Sequence, residues 1–392
     1  MEGGRPENRL SSASVVQRTR FPGRTSLTIV YRLGTAPAPQ SRLTCGNILK
    51  QSPSVFMSIA FRACALSSVL IFASPTLAVA TATSNDTKPP QYVIISFDGA
   101  HDIAQWQRSR ALAARTGAHF TYFLSCVFLL SPEARRDYRA PGKSAGKSNV
   151  GFAQSKQEVA ERLREIRFAT AEGHELASHG CGHFDGKDWS KADWLSEFDS
   201  FSRILRGAYS INGIAPEPAA WRGLAANVSG FRAPYLATGK PLYSALAEHG
   251  FAYDASGVSR GPVGPTTSGG IEHFALPLIP EGPKSRRVIA MDYNLFVRHS
   301  GGLERPDQAE VFQERSYEAF RAAFDMQYSG ERTALQLGFH FTLMNNGAYW
   351  RALERFAQDV CVKADVVCTS YSGYLDSIRA TSKPQHGKTA GG

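Results

Sequence analysis

The chain has 392 residues, of which 43% are apolar and 20% charged, a balance that supports a sizeable core and excludes disorder throughout. Its formal charge is +10, but residues 81–392 carry only +3 of it, so the basic total does not describe a nucleic-acid-binding surface.

Residues 1–56, rich in Ser, Arg, Pro and Gly, read as an upstream extension that is disordered or precedes the true start. A second pattern begins at Met57. The mildly basic Met57–Arg62 leads into an apolar run over 63–73, and Ser74-Pro75-Thr76-Leu77-Ala78-Val79-Ala80 places small residues where a signal peptidase cuts. This predicts a signal peptide over 57–80, too short in its apolar part for a membrane span. Localisation to the periplasm or outside the cell follows, with no stable membrane insertion after cleavage. Export permits disulfides, and Cys126, Cys181, Cys361 and Cys368 remain after the leader. Local pairing of Cys361 with Cys368 leaves Cys126 for Cys181; reduced, buried thiols compete equally with that arrangement.

A linker over 81–90 precedes one domain over 91–380. Tyr92–Phe97 is a continuous apolar strand that releases Asp98-Gly99-Ala100-His101-Asp102 at its end, the pattern of a buried parallel sheet. A helix is expected over 103–116, then an apolar strand over 119–127 and an irregular, Gly/Pro-punctuated excursion over 131–150. The Gly142-Lys143-Ser144 and Gly146-Lys147-Ser148 fragments there fall short of a phosphate-binding loop. Ser155-Lys156-Gln157-Glu158 is a capping box for a helix running to about Thr170. Glu175–Ser178 is a short strand delivering His179, and Ser190 starts a helix with Trp194, Phe198, Phe201 and Leu205 at helical spacing. Residues 211–230 are mixed.

Phe231–Tyr235 is extended, because Ala233 precedes a proline. A helix over 242–249, a strand over 251–254, a surface loop over 261–270 and strands over 274–279 and 288–291 follow. Then come a helix over 308–324, a strand over 335–341, a helix over 348–360, a strand at 366–368 and a helix over 371–380. This alternation predicts an α/β barrel, with its chemistry at the C-terminal ends of the strands.

Asp98, His179, His183, Arg232, Asp254 and His340 all fall at such ends. Two imidazoles four residues apart suit a divalent metal, a carboxylate nearby can act as a base toward water, an arginine can hold that carboxylate, and a histidine across the cleft can protonate a leaving group. Trp189 and Trp350 are the candidate platforms on which a ligand ring could stack.

In order, Ser96-Phe97-Asp98-Gly99, His179-Gly180-Cys181-Gly182-His183, Arg232-Ala233-Pro234-Tyr235 and Leu337-Gly338-Phe339-His340 resemble the motifs of the polysaccharide deacetylase family, the NodB-homology or carbohydrate esterase family 4 domain. The resemblance spans about residues 90–375. It implies a distorted (β/α)7 TIM-like barrel that removes N-acetyl groups from an N-acetylated glycan (chitin-like, peptidoglycan or exopolysaccharide) with Zn2+ or another divalent ion such as Co2+. It further implies Asp98 as the base, His179 and His183 as metal ligands, Arg232 as orienter of Asp98, Tyr235 as backbone donor to the oxyanion, His340 as the acid, and Asp254 as orienter of His340. One position departs from the pattern. Gly99 stands where the family has a second, metal-binding aspartate, so Asp102 is expected to reach back as the third ligand, with His101 and Asp185 as weaker substitutes. Two alternatives accompany this departure: a metal-independent amidohydrolase on a small substrate, and a catalytically inactive carbohydrate-binding relative.

Overall fold

The computed structural model describes residues 88–382; the expected extension, signal segment and most of the linker lie outside them. In chain order the elements are β1 (Gln91–Gly99), α1 (Ile103–Thr116), β2 (Thr121–Leu124), α2 (Lys156–Ala171), β3 (Glu175–Ser178), α3 (Lys191–Ile211), α4 (Trp221–Ala226), β4 (Gly230–Phe231), α5 (Lys240–His249) and β5 (Tyr253–Ser259). They continue as β6 (Thr266–Ser268), β7 (Ile271–Glu281), β8 (Arg286–Ile289), α6 (Asp292–Ser300), α7 (Ala309–Ser329), β9 (Leu335–His340), α8 (Met344–Val360), β10 (Val366–Thr369) and α9 (Tyr371–Ser382).

Seven strands run parallel in the order β9-β1-β2-β3-β4-β5-β7 and curl into a distorted, incomplete (β/α) barrel. Between β7 and β9 the circle is joined by a single bridge, Met291 to Gly338, where the Gly338 N–H donates to the Ala290 carbonyl at 2.9 Å. β9 occupies one edge of β1; on the other, β10 pairs with Gln91–Ile94 and β2 with Ser96–Gly99. β1 is therefore the axis of the sheet. Its unbroken apolar run is what a strand flanked on both edges and covered on both faces requires.

The helix starts follow local chemistry. Ser155 accepts the Glu158 N–H ahead of α2, and Ser190 forms a reciprocal box with Asp193 ahead of α3. Trp194, Phe198 and Leu205 are buried against the sheet side, as their spacing predicts. The expected loop over 261–270 contains a short strand, β6, paired antiparallel to β7. Its three exposed residues carry no alternation that distinguishes them from a loop. Both disulfides are present, Cys126–Cys181 and Cys361–Cys368. The first ties the segment after β2 to the loop after β3.

Candidate active site

The site is built from the loops and last residues of β1, β3, β4 and β9. Asp98 lies opposite His340 in the β1–β9 register. It is 3% exposed, and its Oδ1 accepts from Arg232 Nη1 at 2.7 Å. Arg232 is fully buried, and each part of its fork is used: Nε donates to the Ala255 carbonyl at 3.0 Å, Nη1 also to Ser96 Oγ at 2.9 Å, and Nη2 to the Tyr371 hydroxyl at 2.7 Å. The guanidinium also lies over the Phe123 ring, 4.3 Å from its centroid. Burial alone would raise the Asp98 carboxyl, but the charges of Arg232, His179 and His340 outweigh it and hold the group below the usual carboxylate range. Asp98 is thus a buried carboxylate that favours its ionised form.

His340 is held in the opposite state. Its Nδ1 is 2.6 Å from Asp292 Oδ1, and its backbone N–H donates to Asp292 Oδ2 at 2.8 Å. An ionised carboxylate only accepts, so Nδ1 carries a proton. Burial disfavours the imidazolium, yet the Asp292 charge and hydrogen bond prevail, with Asp98 adding to them, and the His340 pKa rises above the ordinary histidine value. The side chain keeps 27% exposure while Asp292 is fully buried, so the second ring nitrogen remains free to face the cleft.

His179 follows β3 and donates its Nδ1–H to the Arg232 carbonyl at 2.8 Å, which fixes the tautomer and leaves Nε2 as an acceptor. Burial is the main cause that lowers its pKa. His183 sits in the left-handed region at φ 53°, with its ring centroid 5.1 Å from that of His179, and burial with its histidine neighbours drops its pKa to about 3. Both rings are neutral. Tyr235 is also left-handed, at φ 58°, and its side chain is 61% exposed with the ring centroid 5.0 Å from His183.

Three expectations require correction. The metal shell is not formed: among the described residues no group of three His, Cys, Asp or Glu side chains is placed to hold a metal ion, so the expected Zn2+ or Co2+ site is overturned. Asp102 does not reach back; it caps α1, accepting the Gln105 N–H at 2.9 Å. Asp185 accepts the Lys187 N–H instead, and the His101 ring packs on Phe128. Gly99 is at φ 85° with open space where a Cβ would point, so the turn after β1 is satisfied by glycine and offers no donor atom. Second, Asp254 does not orient His340. It accepts from Ser256 Oγ at 2.5 Å, and that hydroxyl accepts the Ala233 N–H at 2.8 Å, so Asp254 braces the Arg232–Tyr235 loop. Third, Trp350 is fully buried and donates its indole N–H to the His340 carbonyl at 2.8 Å. It is a support for β9 and presents no face to a sugar. Trp189, half-buried, packs edge-on against Trp194.

Sequence reasoning missed Asp292, Tyr371 and Ser96. Asp292 had the same signal as the others, a carboxylate just past a strand candidate. Tyr371 had none, because its hydroxyl comes from a helix start far along the chain.

Backbone strain gathers at the same place. Of the eight non-glycine residues with positive φ among the described residues, Ala100, His183, Tyr235 and Leu236 lie after β1, β3 and β4, and Asn345 and Asn346 in the non-helical first turn of α8 after β9. Asn345 is fully buried and locks its loop by accepting the Arg305 N–H at 2.7 Å and donating to the Tyr349 hydroxyl at 2.9 Å.

No family model matches the chain, and no curated protein matches it. Solved structures do. A protein assigned to the polysaccharide deacetylases from Mycobacterium smegmatis aligns with 75% of this chain and 94% of its own at 16% identity and a TM-score of 0.45. A structure described as a probable polysaccharide deacetylase from Pseudomonas aeruginosa PAO1 aligns with 74% of this chain and 91% of its own, at 16% identity and a TM-score of 0.46. The PuuE allantoinase aligns with 76% of this chain and 95% of its own, at 16% identity and a TM-score of 0.46. A carbohydrate esterase family 4 pseudoenzyme from Bacillus anthracis aligns with 73% of this chain and 66% of its own, at 11% identity and 0.38. At these identities the likeness is one of fold.

Proposed function

We propose that the protein hydrolyses a non-peptide carbon–nitrogen bond by acid–base catalysis without a bound metal, Asp98 serving as the base and His340 as the acid. The observation that carries this reading is the pairing of two side chains at neighbouring strand ends, each hydrogen-bonded to a buried partner that favours the charge state its task needs: Asp98 to Arg232, His340 to Asp292. In the first step Asp98 takes a proton from water as the water oxygen bonds to the amide carbon. The Tyr235 backbone N–H is the candidate donor to the oxyanion that forms. As the carbon–nitrogen bond breaks, His340 gives its outer ring proton to the departing nitrogen, and proton return from Asp98 restores both groups. His179 and His183, neutral, line the cleft as hydrogen-bonding groups. The two disulfides support placing this activity in an oxidising compartment, the periplasm or the exterior.

The test is a panel of N-acetylated sugars, ureides and small amides, followed by release of amine or ammonium with wild type, Asp98→Asn and His340→Ala. Turnover lost in both variants and indifferent to chelator supports the reading. Sugar binding without turnover in the wild type, unchanged in Asp98→Asn, would instead make this a non-catalytic glycan-binding protein.

A further inference from the structure

The segment between β2 and α2 carries charge that the acid–base reading does not use. Residues 131–150 hold Arg135, Arg136, Arg139, Lys143 and Lys147 against Glu133 and Asp137, a net of +3. That equals the net charge of the whole of 81–392, so the remainder of that region is neutral. All five cations are exposed, and none of them makes an ion pair among the described residues.

The segment is compact and fastened to the cleft. The Gly146 N–H donates to the Tyr138 carbonyl at 2.8 Å, and a Cβ on Gly146 would lie 3.5 and 3.6 Å from the stems of Arg135 and Arg136. Tyr138, buried, sends its hydroxyl inward to Glu197 at 2.9 Å and accepts the Gly182 N–H at 3.0 Å; Glu197 in turn accepts the Cys181 N–H at 2.7 Å. Asn149 donates its backbone N–H to the Gly182 carbonyl at 2.8 Å and its side-chain amide to the His183 carbonyl at 3.1 Å. Lys143 lies 5.7 Å from the ring centroid of Phe184, next to His183. The cations are thus mounted on the loop that carries His179 and His183.

We propose that this excursion is an anion-recognition arm, which selects substrates bearing carboxylate or phosphate oxygens beside the bond that is cut. Exposed arginine and lysine on a rigid rim raise the local concentration of anions and bind their oxygens by charge-assisted hydrogen bonds. The proposal rests on the cleft being the reaction site.

The test is an NMR titration of the full chain with three acetamido sugars that differ in charge: N-acetylglucosamine, N-acetylmuramic acid and N-acetylglucosamine 6-phosphate. Both anionic sugars, or one of them, are expected to bind at least tenfold more tightly than the neutral one, to lose that advantage when NaCl is raised from 20 to 200 mM, and to shift the His183 ring resonances. Which of the two binds assigns carboxylate or phosphate. The exposed triple substitution Arg136→Glu, Lys143→Glu, Lys147→Glu is expected to abolish the advantage without lowering the melting temperature. Equal binding of all three sugars, salt-insensitive binding, an unaltered advantage in the triple variant, or unmoved His183 resonances would each overturn the proposal. Asp98→Asn is expected to bind like wild type. If it binds normally and no turnover is found in any form, the hydrolytic reading fails while the arm stands.

Discussion

The two halves of the cleft are secured differently. On the β1–β9 side the two central ionisable groups each have a buried counter-group: Asp98 meets Arg232, and His340 meets Asp292. On the β3 side the two histidines are held through backbone, disulfide and Glu197, and their rings have no carboxylate that completes a metal shell. The first half fixes protonation; the second fixes position. Proton transfer depends on which state a group occupies, whereas a ligand or hydrogen-bonding ring depends on where it sits, so the lack of a side chain at Gly99 leaves the first half intact.

The comparison can be broken most severely at Arg232. Arg232→Met leaves the buried Asp98 carboxylate unpaired and is expected to cost about 3–5 kcal/mol of stability in denaturant unfolding. Adding Asp98→Asn to it should recover part of that loss, and an additive result would argue against a direct pair. Asp98→Asn alone should keep the fold, since the amide oxygen still accepts from Arg232, and lower kcat by about 10²–10⁴.

Asp292→Asn probes the acid through its pH dependence. In the proposed reaction His340 acts protonated, and Asp292 raises its pKa, so activity in the wild type is expected to persist until the pH passes that raised value. Asp98 acts ionised with a lowered pKa, so the acid limb lies below the usual carboxylate range. Removing the Asp292 charge should move the alkaline limb of kcat/KM to lower pH and leave the acid limb in place. A shift of the acid limb instead would separate Asp292 from His340. The smallest effect is expected in the β3 half: His183→Ala, or prolonged chelation, should reduce kcat by less than the roughly tenfold that even an outer support of a metal site commands. A chelator-sensitive wild type would reverse the contrast between the halves.

Much of this was legible in the chain. The apolar runs of β1 and β9 and the serine caps of α2 and α3 are local patterns, and the structure places them where periodicity does. Asp98, Arg232 and His340 were legible because strand ends in a parallel sheet converge. Asp254 was misassigned for a physical reason: the sequence ends its strand at Asp254, whereas β5 runs on to Ser259, and only the closure of the barrel through Met291 and Gly338 decides that Asp292 reaches His340. The third ligand expected of Asp102 failed because the same carboxylate is needed to cap α1. Trp350 was expected as a stacking face, but no local pattern reveals that its indole is bonded behind His340.

β10 sits on β1 beneath β2, and it leads directly to Tyr371, whose hydroxyl accepts from Arg232 and donates to Gln336 at 3.1 Å. The Arg232 fork that holds Asp98 therefore draws one partner from a residue 273 positions after that carboxylate. A ribosome that stalled before β10, or a protease that trimmed α9, would leave a chain with every motif residue present and the arginine fork short of one partner. The arginine fork gains its Tyr371 partner only once α9 is in place.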